Sequence, residues 1–150
     1  AGSAHNVIPD TAELLGTIRT LKAATRTMAE QEFRRIVNGV AASFGATADI
    51  IWEVGYPVTE NEATSTERFR AIAREVVGPK NLLEREHATM GGEDFSFYGR
   101  YAKACFFFLG IRPPAMERYP NLHTPEFDFN DEALPIAIEM MAKLATAPVN

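Results

Sequence analysis

The chain has 150 residues, of which 46% are hydrophobic and 23% are charged, a composition typical of one globular domain or two small ones. The net charge of −5 and the absence of a Lys/Arg cluster argue against nucleic acid and membrane as partners. No apolar run reaches the ~18 residues of a membrane span, and nothing near Ala1 resembles a signal peptide. Because Cys105 is the only cysteine, an internal disulfide is excluded, and we expect a reducing, cytoplasmic location.

The first third of the sequence predicts a strand, a helix and a second strand. Residues 12–20 are rich in β-forming residues, which favours a strand. Residues 25–44 place apolar side chains at helical spacing, and Gly45 follows at the position where a glycine often ends a helix. Residues 47–54 alternate apolar and polar side chains, which is typical of a half-buried strand. The apolar positions of the helix are Phe33, Ile36, Val37, Val40 and Phe44.

The connector GYPVTENE, residues 55–62, is the best candidate for a domain boundary because it combines Gly, Pro and Asn. A second helix follows, for which Thr64 and Glu67 form the pattern of a capping box. The continuous apolar run at residues 104–111 fits a strand that is buried on both faces of a sheet.

The last predicted helix begins near Asn130, whose side chain can serve as its N-cap. Apolar residues surround this helix nearly completely, so we expect residues 131–146 to be buried. Strands and helices therefore alternate along the chain, and the order of elements predicts an α/β fold in two parts.

His123 lies in the loop sequence NLHTPEFDF, after the predicted strand at 104–111. Loops that follow strands are where α/β sheets bind ligands, so His123 is a candidate metal ligand or acid–base group. The alternative is a loop histidine that is hydrogen-bonded to backbone. This alternative is favoured by the residues alone, because no second ligand stands at a recognisable spacing.

The sequence MGGEDF, residues 90–95, allows two interpretations. Gly91 and Gly92 can expose consecutive backbone N–H groups to a carboxylate or an oxyanion. The alternative is an ordinary turn in which an acidic residue caps the next helical segment. Similarly, Asn6 and Arg19 can hold a carboxylate, or they are polar residues on a solvated strand edge.

Taken together, five motifs closely resemble the C-terminal portion of a dinuclear metal-dependent amidohydrolase of the aminoacylase/carboxypeptidase metallopeptidases (family twenty). That group includes hippurate hydrolase, N-acyl-amino-acid amidohydrolases, N-acetyldiaminopimelate deacetylase and the auxin-conjugate hydrolases. The resemblance covers essentially the whole chain. The motifs, in chain order, are AHNVIPDTAELLGTIRT, GYPVTEN, MGGEDFSFY, FFFLG and YPNLHTPEFDFNDEALPI.

The resemblance implies roles for the candidate residues. His123 matches the histidine that holds one of the two metals, which can be zinc, manganese, cobalt or nickel. Gly91 and Gly92 match the loop that presents backbone to the substrate. Asn6 and Arg19 match lid residues that hold the substrate carboxylate.

The resemblance also implies an organisation. Residues 1–56 match the end of a lid and dimerisation domain, which is a sheet with helices on one face. Residues 57–150 match the C-terminal part of an α/β catalytic domain. The other metal ligands, the general-base Glu and the oxyanion-stabilising His of the family have no counterpart in this chain. We therefore expect a C-terminal fragment that is inactive alone and holds no metal tightly.

The predicted function of the parent protein is hydrolysis of the amide bond of N-acyl amino acids or related conjugates, by a metal-bridged water that the absent Glu deprotonates. We expect a small-molecule substrate and a homodimer or other self-association. Two alternatives remain open from the sequence. One is a non-catalytic dimerising module, and the other is a degenerate homologue that binds amino-acid conjugates without cleaving them.

Overall fold

A computed structural model describes residues 1–148, and within that range the chain is helical. None of its helices there is long and apolar enough to cross a membrane. The α-helices are α1 (Ala23–Ser43), α2 (Ala63–Val76) and α3 (Leu134–Thr146), and the 3₁₀ helices are Asp94–Arg100 and Asp131–Ala133.

The predicted α/β fold is wrong, because no β-strand forms within residues 1–148. Alternation and β-propensity show only that a segment fits a half-buried surface, whereas a strand requires a second backbone to take its hydrogen bonds. The segments 12–20, 47–54 and 104–111 have no such partner ladder in the described chain. The sheets expected for a lid domain and for an α/β catalytic domain are therefore absent from it.

The segment predicted as a buried strand at 104–111 is instead held by side-chain and isolated backbone bonds. Glu62 N donates to Ala104 O at 2.9 Å. The Asn61 side chain binds both backbone groups of Phe106, donating to its carbonyl and accepting from its N–H, each at 2.8 Å. The Asn61 side chain thus forms the two backbone hydrogen bonds with Phe106 that a neighbouring strand would otherwise form.

The described chain divides into two compact units. The first unit comprises Ala1–Val58 with Met90–Gly92, and the second comprises Thr59–Thr89 with the residues from Glu93 onward. The first unit contains α1, and the second contains α2, α3 and both 3₁₀ helices.

Helix α1 confirms the prediction of a helix at 25–44 to within two residues at its start and one at its end. Gly45, with φ of +69°, ends it in a Schellman motif, in which the N–H groups of Gly45 and Ala46 donate to Ala42 O and Ala41 O. The apolar face is only partly covered, since no residue of α1 is buried. Within the first unit, the Phe33 ring contacts the Trp52 ring with centroids 5.5 Å apart.

The core of the second unit lies where α2 packs on α3. Its buried members are Ile72 and Ala73 from α2 and Met140 from α3. The Phe69 ring adds to it and stacks on the Phe107 ring at 4.5 Å. Because α2 covers one side of α3 only, the prediction that α3 is buried all round is wrong: Ile138 is 67% exposed.

The predicted N-cap is confirmed for the 3₁₀ turn that leads into α3 and is wrong for α2. Asn130 confirms its predicted role, since its Oδ1 accepts from Glu132 N at 3.2 Å and starts the 3₁₀ turn that leads into α3. The predicted Thr64/Glu67 capping box is wrong. Glu62 is the N-cap of α2, and its carboxylate accepts from Ser65 N at 2.7 Å.

The Glu62 cap predicts an acid-sensitive helix. The hydrogen bond from Ser65 N is the main cause that lowers the pKa of Glu62 to about 2, from an ordinary value of 4.5. A carboxyl whose pKa is lower in the folded state stabilises that state above pH 4.5 and loses this contribution as the pH falls towards 2. We expect Glu62→Gln to weaken the fall in melting temperature across this interval, as measured by circular dichroism. Glu86→Gln, an exposed carboxylate outside the helices, is the control and should leave the slope unchanged.

Arg68 ties α2 to the end of α3. Its Nη2 donates to Leu144 O at 2.6 Å and to Ala147 O at 2.7 Å, so it satisfies carbonyls that the helix end leaves unpaired. We expect Arg68→Met, which keeps the apolar stem, to lower the free energy of unfolding by about 1.5–3 kcal/mol. Urea unfolding measures this loss. Arg74→Met, an exposed arginine of the same helix, should cost less than about 1 kcal/mol, and an equal cost for both would contradict the role given to Arg68.

Candidate functional site

The structure places four of the five candidate residues in the first unit and His123 in the second. Asn6 lies in an exposed turn near the start of the chain. Arg19 is also exposed, and its Nη1 donates to Thr17 Oγ1 at 3.1 Å. No hydrogen bond joins Asn6 to Arg19 within the described residues, so the two side chains do not form one hydrogen-bonded pair there.

The glycine pair does not form a left-handed turn, since neither Gly91 nor Gly92 has a positive φ. Gly91 has open space where a Cβ would stand. Gly92 lies against the Tyr56 ring, whose Cδ2 would be only 3.3 Å from an added Cβ. Close approach to this ring, and not backbone conformation, is therefore the reason for a glycine at position 92.

The acidic residue after the glycine pair acts as a cap. Glu93 is the N-cap of the 3₁₀ helix Asp94–Arg100, with its carboxylate facing Phe95 N at 3.5 Å. Its carbonyl accepts from the hydroxyl of the buried Ser96 at 2.6 Å. The capping role foreseen as the ordinary interpretation of MGGEDF is thus present, and it leaves the N–H groups of the glycine pair outside the helix.

His123 lies in a long segment without regular structure, residues 111–130, which we call the His123 loop. Loops longer than about 12–15 residues without helix or strand are uncommon and are usually functional or disordered. This loop is held together by hydrogen bonds. Asn130 Nδ2 donates to Ile111 O at 3.1 Å and joins its two ends, and Tyr119 OH donates to Asp128 O at 2.8 Å across it.

The backbone at His123 is in an unfavourable conformation. Its φ is +66°, and among residues 1–148 it is the only non-glycine residue with a positive φ. Thr124 Oγ1 donates to Asn121 O at 2.9 Å, so a hydrogen-bonded turn encloses His123, and a second turn follows it, in which Phe127 N donates to Thr124 O at 3.1 Å. Left-handed non-glycine residues occur often at functional sites, where the surrounding structure imposes them. The imidazole itself is exposed.

An open cleft of about 400 Å³ is lined partly by residues of the His123 loop, among them Leu122, which directly precedes His123. Tyr119 and Leu122 line it from the loop, and Leu109 lines it from the preceding segment. Arg112 is its only charged lining residue. None of these residues was a predicted site residue. The sequence feature that could have indicated them is the number of large apolar side chains in this segment, because an ordinary surface loop is polar.

A second open cleft, of about 510 Å³, lies away from the candidate residues. It is lined by polar groups that already have partners, including Asn61, bonded to Phe106, and Glu62, bonded to Ser65 N. These groups stabilise the start of α2 and have little capacity left for a ligand.

Cys105 is not a suitable nucleophile. Burial raises the pKa of its thiol above the ordinary value of 9.0, and this effect outweighs the opposing hydrogen bond with Thr66 and the charge of Arg70. Since the thiolate is the reactive form, the thiol is protonated near neutral pH and acts as a packing residue.

The described residues do not by themselves fit a metal centre. Within residues 1–148, no group of three or more His, Cys, Asp or Glu side chains is arranged to hold a metal ion. Catalytic sites for divalent metals ordinarily use three protein ligands or more. His123 can supply one imidazole ligand from an exposed position, and the other ligands are not among its neighbours.

Comparison with known protein families places the chain in a class of hydrolytic enzymes. The profile of Peptidase family M20/M25/M40 matches residues 5–147, and the chain belongs to this family. This confirms the resemblance drawn from the five motifs. No solved structure matches the chain.

Similar curated proteins include three enzymes from different organisms. The N-acetylcysteine deacetylase of Bacillus subtilis is 34% identical over 147 residues, which are 97% of this chain and 36% of that protein. An N-acetyldiaminopimelate deacetylase of Streptococcus thermophilus is 38% identical over 146 residues, 95% of this chain and 36% of that protein. The IAA-amino acid hydrolase ILR1-like 4 of Arabidopsis thaliana is 30% identical over 149 residues, 97% of this chain and 34% of that protein. The chain thus spans about a third of the length of these relatives.

Proposed function

We propose that this chain is part of a metal-dependent hydrolase that cleaves the amide bond of N-acyl amino acids or related conjugates. The observation that carries the proposal is similarity over nearly the whole chain to two deacetylases of N-acetylated amino acids and to an amino acid conjugate hydrolase. The family match over residues 5–147 supports the same reaction class.

We assign His123 as a ligand of one of two divalent metal ions in the intact enzyme. A neutral imidazole binds zinc, manganese, cobalt and nickel alike, so His123 does not select among them. The left-handed backbone and the Thr124–Asn121 hydrogen bond that encloses His123 support this role, because a ligand must be held in one orientation. A bound metal would polarise the amide carbonyl and activate water.

Arg19 and Asn6 are assigned to the substrate carboxylate. The guanidinium of Arg19 carries five N–H donors in a planar fork, of which one bonds Thr17, and both residues are exposed. Gly91 and Gly92 are assigned to present backbone N–H groups to the substrate. The open space at Gly91 supports this, since a ligand can approach the backbone there.

The proposed organisation assigns residues 1–56 to a dimerisation part and residues 57–150 to the catalytic part, in a cytoplasmic protein. The exposed apolar face of α1 supports self-association, because none of its residues is buried within the first unit. Multi-angle light scattering of the intact protein measures the outcome. A dimer without any hydrolytic activity would instead favour the alternative of a non-catalytic dimerising module.

The test of the proposed function is an assay of the intact natural protein, with the chain that flanks these residues in its gene. N-acetyl, N-benzoyl and indole-acetyl amino acids are supplied with each of the four metals. We expect release of the free amino acid, loss of activity with a chelator and its return on adding metal. Absence of turnover with all substrates and metals would overturn the proposal, and binding of the conjugates without turnover would favour the degenerate homologue.

The 150 residues alone are proposed to be inactive, because the described residues include no cluster of ligands for a metal. The same assay on the isolated chain tests this directly. Turnover of hippurate above the blank would contradict it.

A further inference from the structure

We propose that Asn130 is a positioning residue for His123, because its side-chain amide fastens both ends of the His123 loop to the core formed by α2 and α3. The inference rests on the proposed function, in which His123 takes part in the reaction, and it adds a residue that acts only through His123. Asn130 is the last residue of the loop and is half-buried.

The Asn130 side chain has two backbone partners at opposite ends of the loop. Its Oδ1 accepts from Glu132 N at 3.2 Å, in the turn that leads into α3, and its Nδ2 donates to Ile111 O at 3.1 Å, at the start of the loop. A backbone N–H only donates and a carbonyl only accepts, so this pair of partners requires a donor and an acceptor on one side chain. An amide supplies both, whereas a carboxylate supplies acceptors alone.

Both ends of the His123 loop belong to one packed core. The segment before the loop is anchored to α2, since the Phe107 ring stacks on the Phe69 ring at 4.5 Å. Helix α3, which follows the loop, packs on α2 through the buried Met140. The hydrogen bond between Asn130 and Ile111 therefore joins the point where the chain leaves this core to the point where it returns.

The other hydrogen bonds described for the loop connect residues within it. Thr124 Oγ1 donates to Asn121 O at 2.9 Å and encloses His123, and Tyr119 OH donates to Asp128 O at 2.8 Å. These bonds fix the local shape around His123. The place of that shape relative to the core depends on the two ends of the loop, and a reacting group that is misplaced by about 1 Å can lose about 100-fold in rate.

Hydrogen–deuterium exchange of the metal-free intact protein tests the positioning without an assay of activity. Asn130→Asp keeps an oxygen that caps Glu132 N, because Asp and Asn are similarly good N-caps, but it removes the donor to Ile111 O. We expect the hydrogen-bonded amides of the loop, such as that of Phe127, to exchange at least about 10-fold faster, while α3 keeps its rate. Unchanged exchange in the loop, or equally faster exchange in α3, would overturn the inference.

Asn81→Asp is the matched control. The Asn81 amide donates to Val77 O at 2.8 Å at the end of α2, so this substitution removes the same kind of bond in the same unit but outside the loop. We expect it to lower the melting temperature about as much as Asn130→Asp and to leave exchange in the loop unchanged. Faster exchange in the loop to the same degree as in Asn130→Asp would show a general loosening and would overturn the inference.

A second variant at the same position separates the lost donor from the added charge. Asn130→Ser is neutral and still caps a helix, but its hydroxyl is one bond shorter than the amide nitrogen that reaches Ile111 O. We expect exchange in the loop to rise in Asn130→Ser as it does in Asn130→Asp. A rise in Asn130→Asp alone would show that the charge disturbs the loop, and would overturn the inference.

A double-mutant cycle shows whether Asn130 acts through His123. In the intact, metal-loaded protein, Asn130→Asp is expected to lower kcat for an N-acyl amino acid by about 10–100-fold and to change KM by less than about 3-fold. In a protein that already carries His123→Asn, the same substitution should cost less than about 2-fold. Full additivity would overturn the inference. If no substrate is hydrolysed, the proposed function fails, and the exchange measurement still decides whether Asn130 positions the loop.

Discussion

Replacing His123 with Asn in the intact protein is expected to lower kcat/KM for N-acyl amino acids by at least about 100-fold and to leave the melting temperature nearly unchanged. Even residues that only orient metal ligands cost about 10–100-fold when they are changed, so the loss of a ligand should cost more. Asn is the appropriate substitution because it tolerates the left-handed backbone that His123 adopts, with φ of +66°. A loss of activity can then be assigned to the imidazole and not to backbone strain.

Two further measurements distinguish a ligand from a structural loop histidine. Metal content after dialysis should fall in His123→Asn, and excess metal should restore part of the activity, since the remaining ligands still bind weakly. His87→Asn is the matched control, because His87 is exposed and is not among the residues assigned to the site. Full metal content and normal kcat in His123→Asn would refute the ligand assignment.

Backbone strain at His123 can be measured separately with His123→Gly. Glycine adopts a positive φ without steric cost, so this variant should be at least as stable as the natural protein even though it lacks the imidazole. A variant that is more stable and nearly inactive would show that the strained residue is retained for function. A large loss of stability would instead show that the imidazole packs within the loop.

The second large effect concerns the core of the second unit. Met140→Ala is expected to lower the free energy of unfolding by about 2–5 kcal/mol, because it leaves a cavity between α2 and α3 where Met140 is 3% exposed. For a chain of this length, that corresponds to a melting temperature lower by roughly 5–15 °C. Urea unfolding followed by circular dichroism measures the free energy, and a thermal scan measures the melting temperature.

The neighbouring Met141 supplies the matched control for this prediction. It is on the same helix but is 58% exposed, so Met141→Ala should cost less than about 1 kcal/mol. Equal effects of the two substitutions would contradict the packing of α3 on α2 described above. An unusually large effect of Met141→Ala alone would indicate that another surface covers it in the intact protein.

Local sequence patterns predicted the helices well and the extended segments poorly. The helix at 25–44, its end at Gly45 and the cap at Asn130 all depend on interactions between residues a few positions apart. The segments 47–54 and 104–111 carried strand-like patterns, but a strand depends on a distant backbone that a local pattern does not specify. In the structure, the Asn61 side chain pairs with Phe106 where a strand was expected.

The residues of the candidate site remain predictions from sequence motifs, whereas their surroundings are seen only in the structure. His123 was selected because of its motif, and Arg19, Asn6 and the glycine pair because of theirs. The sequence pattern did not reveal the left-handed backbone at His123 or the partly buried walls beside it. Both depend on hydrogen bonds that close the His123 loop, such as Asn130 to Ile111, between residues far apart in the chain.

The amino-acid sequence by itself determined the family of this protein, the positions of α1, α2 and α3, and the side chains that are available for chemistry. These properties follow from residue identity, local spacing and contacts within one or two helical turns. Only the tertiary structure decided that Met140 is buried while Met141 is exposed, that Glu62 and not Thr64 caps α2, and that apolar residues of the His123 loop line a cleft. Burial and cleft shape arise from which distant surfaces meet, and the physical cause is non-local packing, which no short window of sequence contains.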